Sequence, residues 1–86
     1  MNQFYSLKFG LDASSVQPEV VQLIKSVGDD VIQTSDGLCL KTTRSEDDVR
    51  TALKDAGYAA GITIEKMNEE ALRAASPNVR SFAGLN

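Results

Sequence analysis

The chain has 86 residues, of which 42% are hydrophobic and 24% are charged, and its formal net charge is -3. This length allows one domain, and this balance of apolar and charged residues excludes an intrinsically disordered chain. The negative net charge argues against a broad basic surface for nucleic acid, and no apolar run approaches the roughly 18 residues that cross a bilayer. We therefore expect a folded protein without a nucleic-acid partner or membrane contact.

The residue types also limit the chemistry. Cys39 is the only cysteine and cannot form an internal disulfide, and no positively charged segment precedes an apolar run at the N-terminus, so a cytoplasmic location is expected. The chain has no histidine, which removes the commonest general base and the commonest zinc ligand. We expect no cofactor and no enzymatic activity. Catalysis would need carboxylates, lysine or hydroxyls acting with a hard cation such as Mg²⁺.

The first third of the chain predicts a strand followed by a helix. Residues 2–11 alternate between apolar and polar, with Tyr5, Leu7, Phe9 and Leu11 on one face. Residues 16–28 place Val16, Val20, Leu23, Ile24 and Val27 at helical spacing. Pro18 lies in the first turn of this segment and Gly28 lies beyond its last turn, as in many helices.

Two short strands flank the Ser-Asp-Gly segment at residues 35–37. A three-residue loop pairs Ile32 with Leu40, which brings apolar residues together, and it places Gly37 at a position that favours a left-handed backbone. In this register Ile32 faces the core, whereas Cys39 points away from it. Cys39 then lies beside Lys41, where it is either a thiol with a lowered pKa or a small strand residue near an oligomer interface.

The next segment predicts a second helix and a fourth strand. Ser45 is the expected N-cap, and the acids at 46–48 suit the positive first turn of a helix. Val49 and Leu53 point inward, and Gly57 ends the helix. Residues 61–66 again alternate between apolar and polar side chains, which predicts the fourth strand.

The predicted order of elements is β-α-β-β-α-β, which favours an α+β, ferredoxin-like two-layer sandwich over residues 1–66. Residues 67–86 form a C-terminal helical extension of two short pieces, with Asn68 and Ser76 as N-caps. If the two pieces are roughly coaxial, Leu72, Val79 and Phe82 line one side of them. Such an apolar face covers either the open face of the sheet or a partner, and the sequence does not choose between these.

The segment at residues 35–57, SDGLCLKTTRSEDDVRTALKDAG, followed by ITIEKM at 62–67, carries a family resemblance. It resembles small SinR-like proteins, which are related in fold to the GhoS antitoxin and to the small nuclease-fold subunit of CRISPR adaptation complexes. The shared features are a strand ending in Lys-Thr, an acid-rich helix start and a short final strand, within residues 4–66. The resemblance implies the ferredoxin-like fold and dimerisation, and we expect a bacterial or phage protein.

One position departs from this family. The nuclease members bind metal through an aspartate after the first strand, and the residue that matches it here is Gly10. We therefore expect a homodimeric binding or regulatory protein, antitoxin-like, that contacts a protein partner through its open sheet face or through Leu72, Val79 and Phe82. Two alternatives remain: a metal-dependent ribonuclease that uses Asp12 near a dimer axis, and a small-ligand sensor.

Overall fold

The computed structural model describes residues 2–11, 13–35, 37–58 and 61–85. Four strands form one antiparallel sheet in the order β2-β3-β1-β4. The elements are β1 (Gln3–Phe9), a 3-10 turn (Ser14–Val16), α1 (Gln17–Ser26), β2 (Asp30–Gln33), β3 (Gly37–Thr42), α2 (Glu46–Asp55), β4 (Ile62–Met67), α3 (Glu69–Arg73) and α4 (Pro77–Phe82). The predicted α+β class is confirmed, and the arrangement is compatible with a two-layer sandwich.

The main core lies between the sheet and the helices α1 and α2. Tyr5 pairs with Leu40, and Leu7 pairs with Leu38, across the two central strands. These four side chains are essentially inaccessible to solvent. They pack with Val20, Ile24, Val49 and Leu53 from the two helices. The apolar stripes predicted for the first strand and for both helices therefore meet in one cluster, except that Leu11 and Val27, at the ends of their predicted elements, are exposed. Burial of this cluster is the main source of stability.

The predicted register of β2 against β3 is wrong by one residue. Ile32 lies opposite Cys39, and Val31 lies opposite Leu40. The backbones of Thr34 and Gly37 exchange hydrogen bonds of 2.9 and 3.4 Å, so two residues separate them in place of the expected three-residue loop. Because side chains alternate between the faces of a sheet, this shift turns Ile32 to the face opposite α1 and α2.

Gly37 has the positive φ that the loop prediction called for, at 155°, and it is needed for a second reason as well. It begins β3, and a Cβ atom built on it would lie 2.1 Å from the carbonyl oxygen of Leu7. No real side chain tolerates such a distance. The glycine therefore permits the close approach of the backbones of β3 and β1, a recognised use of glycine within a strand.

A buried phenol connects the core to the start of α2. The Tyr5 hydroxyl donates to the carbonyl oxygen of Arg44 or to Oε1 of Gln3, each at 3.0 Å. Arg44 also pairs with Asp29 at 3.3 Å, which links the segment before α2 to the end of α1. Burial raises the pKa of Tyr5, and the nearby carboxylates of Glu46 and Asp48 raise it further. The phenol therefore stays neutral and keeps its hydrogen bond over the physiological pH range.

Candidate functional site

The second face of the sheet is covered by residues 68–85, here called the tail. Because Ile32 and Cys39 pair on this face, the sheet has apolar residues on both sides. Cys39, Leu72 and Val79 form the buried centre of a second cluster, with exposures of 1%, 6% and 4%. Phe4, Ile32, Met67, Ala75, Phe82, Ala83 and Leu85 pack around them. The tail thus folds back on its own sheet.

The strand-to-tail connection is very short. β4 ends at Met67, one residue beyond the expected boundary at 66, and α3 begins at Glu69. The single residue between them, Asn68, accepts a hydrogen bond on Oδ1 from the backbone N–H of Ala71 at 2.8 Å. The predicted N-cap at Asn68 is therefore confirmed, and this cap reverses the chain over the sheet.

Ser76 precedes α4 as predicted, but its side chain makes no capping hydrogen bond. The link between α3 and α4 is held in another way, because the guanidinium of Arg80 donates to the carbonyl oxygen of Ala75 at 2.7 Å. This contact satisfies a carbonyl near the end of α3 and draws α4 against the turn that precedes it.

Aromatic contacts hold one edge of the tail. The rings of Phe4 and Phe82 meet edge to face, with centroids 6.1 Å apart and planes at 78°. The ammonium group of Lys41 lies 5.8 Å from the centroid of Phe82. Phe82 is therefore held by an aromatic pair and by a cation above its ring, and each contact adds to the gain from burial.

A small cavity remains between the tail and the sheet. Its volume is about 170 Å³, and it lies where the α3–α4 link passes over β1 and β3. The described residues that line it are Ser6, Thr34, Ser35, Leu38, Cys39, Met67, Ala75, Ser76 and Val79. None of these is charged. Both the sheet and the tail supply its walls, so it exists only while the tail is docked.

Cys39 lies at this cavity as a neutral thiol. Desolvation by burial raises its pKa from 9.0 to about 11. A lowered pKa next to Lys41, one of the two alternatives drawn from the sequence, is therefore wrong. The buried thiol is a small strand residue and not an activated nucleophile, because the thiolate is the reactive form.

The residues expected to contact a partner have unequal exposure. Leu72 and Val79 are buried within the chain, whereas Phe82 is half-buried at the edge of the tail. Partner contact at these three residues stays a prediction, and Phe82 offers the most surface for it. Asp12, the residue of the alternative metal site, lies outside the described residues.

The acids at 46–48 act as a helix start. The Ser45 hydroxyl accepts a hydrogen bond from the N–H of Asp48 at 3.2 Å, and Glu46 pairs with Arg50 at 2.9 Å.

Within the ranges that the structure describes, no group of three or more acids and cysteines could hold a metal ion. In the same ranges, no helix is long and apolar enough to cross a membrane.

A second concave region lies on the opposite side of the molecule. A shallow groove of about 560 Å³ runs between α1 and the segment after α2. It is lined by Pro18, Glu19, Gln22, Leu23, Ser26, Ala56 and Tyr58. Its walls come from the helix layer and not from the tail, so it is independent of the cavity at Cys39.

No known protein family, curated protein or solved structure shows a significant match to this chain.

The sequence indicated both the tail and the open sheet face and turned Cys39 to that face, as the structure has it, but it placed Ile32 on the opposite face. The signal for Phe4 and Ser6 was present in the alternation of the first strand, which places them opposite Tyr5 and Leu7. Ile32 carried no such signal, because its neighbour Val31 is equally apolar. The structure brings Phe4, Ile32 and Cys39 together under the tail.

Proposed function

We propose that this chain is a small, non-enzymatic binding protein whose recognition surface is formed by the tail and the sheet face beneath it. The partner that this surface suits is a protein presenting an amphipathic helical segment. Recognition of this kind lays the apolar face of a helix into an apolar groove. The role would be regulatory, and it would act by covering a functional surface of the partner.

One observation carries this proposal: the sheet face already holds a short helical segment, namely the chain's own tail. Leu72 and Val79 insert toward Cys39, and Phe82 packs on Phe4. The face therefore has the shape and polarity to bind apolar side chains from a helix. A partner helix with the same spacing of apolar residues would compete with the tail for the same contacts, and the displaced tail would become available to bind in turn.

We also propose that the specific fold is a ferredoxin-like sandwich. The order of elements along the chain and the strand order β2-β3-β1-β4 support a ferredoxin-like sandwich. The two helices that follow β1 and β3 lie against one face of the sheet, as right-handed crossovers require. The resemblance to SinR-like and GhoS-like proteins supports an antitoxin-like role in the cytoplasm and a homodimer.

A peptide added to the intact protein tests the recognition surface. A full-length variant with Leu72→Asp and Val79→Asp places two charges where the tail is buried, which should release the tail from the sheet. A labelled peptide of residues 68–85 should then bind this variant saturably. It should bind the unmodified protein more weakly, because the native tail competes for the same face.

The control is the same peptide carrying both aspartate substitutions, which should bind neither protein. Absence of binding to the released-tail variant would contradict the proposed recognition surface.

The proposal that the protein is not an enzyme is tested by incubating it with RNA and Mg²⁺. Cleavage that disappears in an Asp12→Ala variant would contradict it and would support the ribonuclease alternative.

Light scattering in solution tests the homodimer. The proposal predicts the mass of two chains for the unmodified protein at micromolar concentration. A mass of one chain, 9.3 kDa, would contradict it.

A further inference from the structure

The cavity beside Cys39 lies at the junction between the tail and the sheet. Its walls come from β1, the turn between β2 and β3, β3 itself, the end of β4 and the α3–α4 link. Cavities in apolar cores are usually dry and lined by hydrocarbon. This one differs, because serine and threonine residues from three separate segments line it together with a cysteine.

Two of these hydroxyls are placed to serve a ligand. Oγ1 of Thr34 accepts a hydrogen bond from the N–H of Gly37 at 3.1 Å, which leaves its own proton to donate. The Ser76 hydroxyl makes no capping bond to α4. Ser6 and Ser35 add hydroxyls on the sheet side, while Met67 and Val79 supply apolar wall. A few polar groups on a mostly apolar wall is the usual composition of a small-molecule site.

We propose that this cavity binds a small uncharged molecule that combines hydroxyl or amide groups with a short apolar portion. Its volume of about 170 Å³ is below the roughly 300 Å³ at which drug-sized sites begin. It corresponds to a ligand of only several non-hydrogen atoms.

Charge is the property that selects the ligand. No charged side chain is among the described residues that line the cavity, so a bound carboxylate or ammonium group would lose its hydration without gaining a partner of opposite charge from them. The Cys39 thiol also stays neutral when buried, since desolvation raises its pKa to about 11. A neutral amide or alcohol loses less hydration and can exchange hydrogen bonds with the serine and threonine hydroxyls.

Binding at this place would hold the tail closed. The ligand contacts both walls, so its affinity exists only in the docked state, and it shifts the equilibrium toward that state by mass action. This inference goes beyond the proposed function and stands whether or not a protein partner displaces the tail.

A matched pair of probes tests the cavity in the full-length protein. Propionamide and propionate have nearly the same size and differ in charge. In an NMR titration, propionamide should shift the amide signals of Ser6, Cys39 and Ser76 saturably, with a dissociation constant on the order of millimolar. Propionate should bind at least about tenfold more weakly. The signals of Gln22 and Tyr58, which line the other groove, should not move with either probe.

Two variants test whether propionamide binds in this cavity. Ala75→Leu fills the cavity and should abolish the propionamide shifts while the circular dichroism spectrum stays native. Ser76→Ala removes a hydroxyl that caps no helix, so it should preserve the fold and weaken propionamide binding several-fold. No shifts with propionamide, equal shifts with both probes, or shifts that persist in Ala75→Leu would each overturn the inference. None of these outcomes depends on the peptide that tests the recognition surface.

Discussion

Ile32 lies directly opposite Cys39 in the antiparallel pairing of β2 with β3, and both side chains project from the sheet face that the tail covers. Val31 and Leu40, one position along, project into the core beneath α1 and α2. The sheet therefore has an apolar face on each side. A four-stranded sheet with one helical layer leaves its second face to solvent or to a partner, and here the tail occupies it.

A pair of glycine variants tests the close approach of β3 to β1. Gly37→Ala would place a methyl group 2.1 Å from the Leu7 carbonyl oxygen, so it should destabilise the protein by at least about 3 kcal/mol. Gly28 also has a positive φ, of 88°, but a Cβ there meets nothing within 4 Å. Gly28→Ala should cost only about 1 kcal/mol from backbone strain. Urea denaturation measures both, and equal losses would contradict the account of Gly37.

The sequence was sufficient where one face of an element is apolar and the other polar. The stripe of α1 and the alternation of β1 predicted the core positions of Val20, Ile24, Tyr5 and Leu7, because only one placement buries them. The Ser45 cap followed from a local pattern that needs no knowledge of the rest of the fold. These features depend on short-range chemistry.

The sequence was insufficient where burial depends on distant residues. Val31 and Ile32 are adjacent and both apolar, so a register that assumes one buried face has no means of choosing between them. The choice depends on the tail, which lies more than 30 residues later in the chain and covers the face that Ile32 occupies. The cavity at Cys39 was unpredictable for the same reason, because its walls meet only after the tail docks.

A double-mutant cycle tests the aromatic contact at the edge of the tail. Phe4→Leu and Phe82→Leu each remove one ring from an edge-to-face pair. Their combined effect on the free energy of unfolding should differ from the sum of the single effects by about 0.5 to 1.5 kcal/mol. Tyr58 packs on the other core, so a cycle of Tyr58→Leu with Phe82→Leu should show no coupling. Additive effects of the two phenylalanine variants would contradict the contact.

The two N-cap positions of the tail give a second matched pair. Asn68→Ala removes an acceptor for the N–H of Ala71 and should destabilise the docked tail by about 1 kcal/mol. Ser76 makes no capping bond, so Ser76→Ala should change stability by less than about 0.5 kcal/mol. Hydrogen exchange of the tail amides measures both effects. Greater exchange in Ser76→Ala than in Asn68→Ala would contradict the structure.

The buried thiol predicts a loss of stability at high pH. Because the pKa of Cys39 is raised from 9.0 to about 11, the folded state favours the protonated thiol. Its contribution to stability is complete below pH 9 and is lost as the pH rises from about 9 to about 11, as the unfolded chain ionises first. Over that range the free energy of unfolding should fall by about 2 kcal/mol through this group.

Cys39→Ala is the control for the pH dependence. It removes the thiol but keeps Tyr5, whose raised pKa adds its own decline at high pH. Urea denaturation at several pH values should therefore show a shallower decline in the variant than in the unmodified protein. Parallel declines would show that Cys39 does not ionise on unfolding in the way its burial requires.

The most direct test of the central claim, that the tail is a displaceable cover on the sheet, is the rate at which iodoacetate alkylates Cys39 across a range of urea concentrations. Cys39 is 1% exposed beneath the tail, so labelling requires an opening. The account predicts a rate at low urea that barely depends on urea, because only the tail opens. Val79→Ala, which trims a buried contact, should raise this rate, and Asn78→Ala, at an exposed position of α4, should not. A rate that follows global unfolding at every urea concentration would contradict the claim.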